Sequence, residues 1–389
     1  MDKRVSFHQM VAFVGVLATV LVLSLANLAG ALPTYQEQKL VSDIPGFADY
    51  LDTSLKNPWG ISSSSTSPLW ISDNRTGVAT LYNGSGQPQS LVVTVPPPAG
   101  GTPPSAPTGQ VFNGGIGFEV SPGRPARFIF ATGDGTISGW NPAASPTTAI
   151  RKVDNSGSGA VYTGLAIGNN GAGDFLYAAN FNSGAIDVFD SNFAPTTLAG
   201  GFTDPNIPSG FAPFNIQNLG GKLYVTYTDD VPGPGKGFVD VFDLNGNLLL
   251  RLISDGSLNS PWGLALAPGN FGEFSNDLLV GNFGDGKINA FDPMIGIFHG
   301  TMLDINGDPI VIEGLWGLKF GNGGNGGDSD TLYFTAGIPG DGAVEDHGLF
   351  GSLKPVQPVQ PVPEPATMIL LGSGLIGLAG YGRKKFFKK

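Results

Sequence analysis

The chain contains no cysteine. That excludes a disulfide framework and any thiolate chemistry. Histidine is nearly absent as well. Of the three present, His8 lies in an apolar N-terminal stretch, which leaves His299 and His347 for the body. Neither has a serine nearby in a motif context, and no G-x-S-x-G nucleophile elbow occurs. Two histidines cannot make a zinc site without help from carboxylates. Charge is sparse at 13% of residues, and its balance is acidic, with a net of −11. The basic residues Lys3, Arg4, Arg383, Lys384, Lys385, Lys388 and Lys389 sit at the two ends, so the body between them is more acidic still. Such a surface disfavours nucleic acid, itself a polyanion.

Glycine and proline are abundant, at 60 and 31 of 389 residues, without a collagen period. The glycines therefore punctuate turns, and the β-branched and aromatic runs between them argue an all-β chain. One seven-residue pattern recurs five times: glycine, four residues, an aromatic, then Asn or Asp. The copies are GVATLYN (77–83), GTISGWN (135–141), GAIDVFD (184–190), GFVDVFD (237–243) and GKINAFD (286–292). An apolar run precedes each copy, and a sixth run, LYFTAG, leads to a degenerate partner, GLFGSL (348–353). A second series, NPWGIS, PTGQVF, YTGLAIG, FAPFNIQ, SPWGLALA and GLWGLKF, is anchored at Gly60, Gly109, Gly164, Asn215, Gly263 and Gly317. Its steps are 49, 55, 51, 48 and 54 residues.

Four short strands per ~50 residues, six times over, is the arithmetic of a six-bladed β-propeller. SLVVTV (90–95) and NLLLRLI (247–253) are examples of the weaker fourth strand. The last unit lacks its own fourth strand. YQEQKLVSD (35–43) reads as a strand and is expected to complete that blade and close the ring.

Both ends read as addresses. Residues 1–31 have a basic start, an apolar run and small residues at Ala29 and Ala31, the form of a secretory signal peptide. After the expected propeller, 32–353, comes a Pro-rich linker, 354–365, that ends in VPEP. Residues 366–389 hold a short apolar helix and the basic tail RKKFFKK. The apolar part is shorter than the ~20 residues a spanning helix needs, and the basic end would stay cytoplasmic.

The order of Pro363-Glu364-Pro365, apolar helix and basic cluster closely resembles the PEP-CTERM sorting signal. That resemblance implies export and transient anchoring in the inner membrane through the helix. It also implies processing by an exosortase-type enzyme, then delivery to the cell surface or the medium, in a setting of exopolysaccharide and biofilm. The wording SPWGLALAPGNFGEFSNDLLVGNFGDGKINAFD and IEGLWGLKFG resembles a family of bacterial exported propellers akin to NHL-repeat and gluconolactonase-like ones. It implies the fold but no particular activity.

Loops at the start of the inner strands and between second and third strands open on one face of a propeller, a usual place for a site. Asp73, Asn74, Asn180, Asp229, Asn282 and Asp285 fall in such loops. They are oxygen donors of the kind Ca²⁺ takes, and gluconolactonase-like propellers hold a channel metal with such groups. The competing reading is turn chemistry, in which Asp and Asn bond their own backbone. Trp59, Trp262 and Trp316 occupy equivalent PWG or LWG positions. They would form either a sugar-stacking platform or wedges between blades. DLNGN (243–247) and DINGD (304–308) begin like calcium loops but lack the later ligands, so they read as hairpins. The sequence thus supports a surface-sorted module that binds extracellular polysaccharide or an envelope protein. A Ca-dependent lactonase-like hydrolase is the alternative.

Overall fold

The computed structural model describes residues 34–356 apart from 230, 255 and 341–344. The expected signal peptide, the VPEP motif and the C-terminal helix lie outside these residues. Among the described residues helix is confined to two 3₁₀ turns, and no helix is long and apolar enough to cross a membrane.

The chain forms six antiparallel blades, with one small extra hairpin (Glu119–Ser121 with Arg124–Pro125) beside the second. The inner strands are Pro58–Ser62, Pro107–Phe112, Tyr162–Asn169, Ala212–Leu219, Pro261–Leu266 and Leu315–Phe320. Each lies against the next, and the sixth returns to the first. Within a blade the strands follow one another outward. The fourth blade runs Ala212–Leu219, Lys222–Thr228, Phe238–Phe242, Leu248–Ser254. The outer strand of the first blade shrinks to Val93–Thr94, well short of the six residues expected.

The heptad motif is explained residue by residue. Its glycine opens the third strand, at positive φ in Gly77, Gly135, Gly184 and Gly286, a region other residues adopt only with strain. Gly237 has an ordinary φ, but a Cβ there would meet Pro261 Cδ at 2.4 Å. The aromatics Tyr82, Trp140, Phe189, Phe242 and Phe291 are all buried between blades. The final Asn or Asp closes the following turn. Asp243 Oδ1 accepts from the backbone of Asn245 and Asn247 at 2.8 and 2.9 Å, and Asp190, Asp292, Asn83 and Asn141 act alike. Asp304 does the same for the second NG hairpin.

The anchor glycines are a different device. A Cβ on Gly60 would meet Thr108 O at 2.4 Å, and one on Gly109 would meet Leu165 N at 2.4 Å. Gly164 faces Asn215, Gly263 faces Trp316 O at 2.6 Å, and Gly317 faces Trp59 O at 2.7 Å. Each anchor thus abuts the inner strand of the following blade, and the chain of contacts closes on itself. Asn215, the one anchor that is not glycine, instead donates from Nδ2 to Trp262 O at 2.7 Å.

The ring closes as the sequence implied. Tyr35–Ser42 pairs antiparallel with Leu349–Pro355, from Tyr35 opposite Pro355 to Ser42 opposite Leu349. The short strand Tyr50–Leu51 then covers part of its outer edge in parallel, shielding a ladder that would otherwise invite pairing. His347 Nδ1 lies 2.7 Å from Asp43 Oδ2 and pins the two closing segments together. The Gly-rich loop after the sixth inner strand is docked, not free: Asn322 Nδ2 donates to Ser64 O and Ser67 O of the first blade, both at 2.8 Å.

Closure by the first strand gives a direct expectation. Leu40 is buried against Tyr82, Tyr333 and Phe350. Leu40→Ala should cost about 2–5 kcal/mol in denaturant unfolding. Gln36→Ala, on an exposed position of the same strand, should stay within about 0.5 kcal/mol.

Candidate functional site

The mouth at the start of the inner strands is filled by aromatic rings. Trp59, Phe214, Trp262 and Trp316 come from the first, fourth, fifth and sixth inner strands, and Phe181 and Phe283 from loops after the second strands of blades three and five. These rings meet across the axis. Trp59 stacks on Trp316 with centroids 3.5 Å apart, and Phe283 stacks on the other side of Trp316 at 4.3 Å. Trp262 stands edge-on to both Trp59 and Trp316, and Phe214 edge-on to Trp59 and Trp316. Each offset or edge-on pair adds about 0.5–1.5 kcal/mol beyond its buried area.

The indole N–H groups extend the lock. Trp262 Nε1 donates to Thr163 O of the third blade at 3.1 Å, and Trp316 Nε1 donates to Asn57 Oδ1 before the first blade at 3.1 Å. A sugar platform needs open ring faces. Trp262 and Trp316 are each only 2% exposed, so the open surface belongs to Trp59, Phe181 and Phe283.

The six oxygen donors sit in four turns around this hub, Asp73 with Asn74 and Asn282 with Asp285 sharing one each. Asp73 Oδ2 accepts from Thr80 Oγ1 at 2.8 Å and Thr80 N at 3.2 Å within its own hairpin. Burial pushes its carboxyl well above the usual range. Asn74 Nδ2 donates to Pro107 O. Asn180 accepts from Val161 N and donates to Asp187. Asp229 pairs with Lys236 at 2.6 Å, and that hydrogen bond lowers its pKa. Asn282 Nδ2 donates to Ser257 O and to Asp285 Oδ1, while Lys287 N donates to Asp285. Among the described residues no three acidic or histidine groups gather as a metal site. The six donors thus fall in four turns, where they bond their own turn or a neighbouring segment.

The opposite end of the channel was missed by sequence reasoning. There the far halves of all six inner strands line a cavity of about 610 Å³. Gln110, Gln217, Asn218, Ser62, Ser63 and Lys319 supply its polar groups, and no carboxylate lines it. A signal existed in the anchor series. Gln110 stands one residue past its anchor, where the other units have Ile or Leu. Lys319 stands two past, where the others have Ser, Val, Ala, Gln and Ala.

A buried charge cluster lies further out in the fourth blade. Arg251 bridges Asp204 and Asp240, with Nε 3.2 Å from Asp240 Oδ1. Burial pushes the Asp240 carboxyl up to about 7, against the opposing pull of Arg251.

Fold and site together define a six-bladed propeller with one mouth closed by aromatics and the other end of its channel open. The chain is 36% identical over 306 residues to Uncharacterized protein L690 of Acanthamoeba polyphaga mimivirus, covering 74% of this chain and 79% of that one. It is 35% identical over 341 residues to Uncharacterized protein R648 of the same virus, covering 83% and 81%. It belongs to the family of these two proteins. Both relatives are viral, so they show the family and not the bacterial source implied by the resemblance. Residues 361–384 match the PEP-CTERM protein-sorting motif, as read from Pro363-Glu364-Pro365. A protein of unknown function from Bacteroides thetaiotaomicron VPI-5482 superposes with a TM-score of 0.53 over 83% of this chain and 76% of that one. At 11% identity, this likeness shows the fold alone.

Two outcomes test this description. Trp316→Ala removes a ring that contacts four others and the donor to Asn57; it should cost about 3–5 kcal/mol in urea unfolding. The second concerns pH. A carboxyl raised by folding stabilises below its ordinary pKa of 3.8 and loses that contribution as pH rises through about 7. Asp240→Asn should therefore gain stability relative to the parent between pH 4 and pH 8, by at most about 1.4 kcal/mol per pH unit. A difference that stays constant across that range contradicts the shift.

Proposed function

We propose that the chain is an exported β-propeller that serves as a binding or structural module at the cell surface or outside the cell. An exosortase-type enzyme would process it at the tail. In this reading 1–31 is a signal peptide, 32–353 the working body, 354–365 a spacer carrying the motif, and 366–389 a transient membrane anchor with its basic stop. The partner is an extracellular polysaccharide or an envelope protein, in a matrix of biofilm type.

The aromatic hub carries the choice of a binding module over a hydrolase. A lactonase-like enzyme of this fold would hold its metal at the channel mouth. Here that mouth is filled by six rings. The polar side chains around it close their own turns or bond neighbouring segments. Such a hub favours a rigid body that presents surfaces over one that admits a substrate to a metal. The sorting-motif match supports the address.

Two measurements test the two halves. In a host with an exosortase system, the intact chain should reach the surface or medium without residues 366–389, whereas Glu364→Ala should keep them and stay in the membrane fraction. Identical processing of both would remove the sorting reading. For the body, Ca²⁺ and EDTA should leave the melting temperature of the purified protein unchanged. A rise with Ca²⁺ that EDTA reverses would favour the metal-dependent alternative.

A further inference from the structure

One loop sets the second blade apart from the rest. Between first and second strands it runs over 113–127, against 63–68, 170–173, 220–221, 267–277 and 321–331 in the other blades. It also carries the extra hairpin of Glu119–Ser121 with Arg124–Pro125. Connections of this length in a compact fold are uncommon and usually serve a function. The loop lies at the open end of the channel. Phe112, the last residue of the inner strand, lines both the channel cavity and a second cavity of about 340 Å³ formed by this loop.

The second cavity gathers two unpaired arginines. Arg124 and Arg127 both line it, and both are exposed, so a ligand can reach them. Among the described residues neither guanidinium has a hydrogen bond, an ion pair or a ring contact. The other three arginines there are all engaged: Arg75 with Asp346 at 3.7 Å, Arg151 with Asp154 at 3.4 Å, and Arg251 with Asp204 and Asp240. No carboxylate lines the cavity. Glu119 of the same hairpin is paired with neither arginine, and Asp174, which approaches Gly115, is taken by Asn169 Nδ2 at 2.7 Å. One solvated arginine is ordinary. Here the two that escape pairing, on a chain with more acidic than basic residues, border one cavity.

The backbone that carries them is held on several sides. Asn113 N donates to Arg127 O at 2.8 Å, and Asn113 Nδ2 donates to Ala126 O at 2.9 Å and Gly117 O at 3.1 Å. Arg127 N donates to Trp140 O at 2.6 Å, and Asn141 Nδ2 to Pro125 O at 2.6 Å. Phe118 is fully buried edge-on to Phe193, and its N donates to Ser191 O at 2.6 Å, which ties the loop to the third blade. A wall fixed before a ligand arrives lowers the ordering cost of binding. Apolar surface stands beside the two cations, with Ile116 89% exposed and Phe112 half-buried.

The planar guanidinium fork matches a carboxylate, and the apolar surface suits a ligand that also presents a C–H face. We propose that this cavity binds a carboxylate-bearing sugar unit of an acidic polysaccharide, with Arg124 and Arg127 holding the carboxylate and Phe112 and Ile116 lying against the ring. One uronate unit is small enough for about 340 Å³. Exposed Gly114, Gly115 and Gly123 border the cavity, so the flanking units of a polymer stay in solvent. The inference rests on the binding-module reading and gives it a ligand class and a place.

The test is calorimetric titration of the full-length chain with trigalacturonate, with its methyl ester as the uncharged control and inorganic phosphate as a plain oxyanion. Trigalacturonate should bind at least about tenfold more tightly than the ester, as charge-assisted contacts require. Arg124→Gln and Arg127→Gln should each weaken it, and together by about tenfold or more, with the ester unaffected. The double variant should melt as the parent does, because both side chains are exposed and unpaired. Arg127→Lys, which keeps the charge and loses the fork, should still bind more weakly than the parent. Absence of trigalacturonate binding at millimolar concentration overturns the proposal. So does binding that the double variant leaves intact, or phosphate binding as tight as that of trigalacturonate. A glycan-array signal that survives in the double variant would then sink this site while the binding-module reading stands; a parent chain with no array signal would sink both.

Discussion

Everything in this molecule depends on how closely six inner strands approach one another around the axis. Five of the six anchors are glycine because the backbone of the next blade lies where a Cβ would be. The distances, 2.4 to 2.7 Å from the absent Cβ to neighbouring atoms, are below any that real side chains tolerate. Asn215 shows the alternative solution, in which a side-chain amide bridges to the next blade. Because the blades wedge together, each buries the faces of its neighbours, and no blade can bury its own. Closure by Tyr35–Ser42 then removes the seam that an open ring would leave.

The tight ring sets the character of the two channel ends. At one end, large residues next to the anchors meet across the axis. Trp59 and Phe214 belong to blades on opposite sides of the ring, yet their centroids are 6.5 Å apart. Such a hub binds the blades from inside and closes the mouth. At the other end no ring cluster spans the axis among the described residues, and a cavity is lined by all six strands. A module of this build is stiff on one face and receptive on the other. That suits an exported propeller whose tail carries a sorting motif.

Much of the fold was legible because repetition exposes constraint. A glycine forced by positive φ, an aromatic forced by inter-blade burial and an Asn or Asp forced by a turn recur at fixed spacing. The missing strand of the last unit even pointed to residues 35–43 as its replacement. The site was less legible. A strand pattern gives the face of a side chain but not its distance from the axis, so Trp59, Trp262 and Trp316 read as wedges between blades with a platform as the other reading. Phe181 and Phe283 share a signal, each following an Asn and standing three residues before the motif glycine in NFNSG (180–184) and NFGDG (282–286), but the spacing alone does not say that both rings reach the axis. Of the six polar candidates Asn74, Asp229 and Asp285 lie in loops, whereas Asp73, Asn180 and Asn282 are the last residues of second strands. Their partners, such as Thr80 for Asp73 and Lys236 for Asp229, depend on local register. Lys319 and Gln110 stood out of their series, but only the ring places them in the lining of one cavity.

The most direct measurement compares two glycine substitutions by urea unfolding. Gly109→Ala puts a methyl group against Leu165 N in the next inner strand, whereas Gly157→Ala meets nothing within 4 Å at an ordinary φ. If close approach of the inner strands holds the ring, Gly109→Ala should cost roughly 3 kcal/mol or more, and Gly157→Ala should be neutral or stabilise by up to about 1 kcal/mol. Equal effects from the two would contradict it.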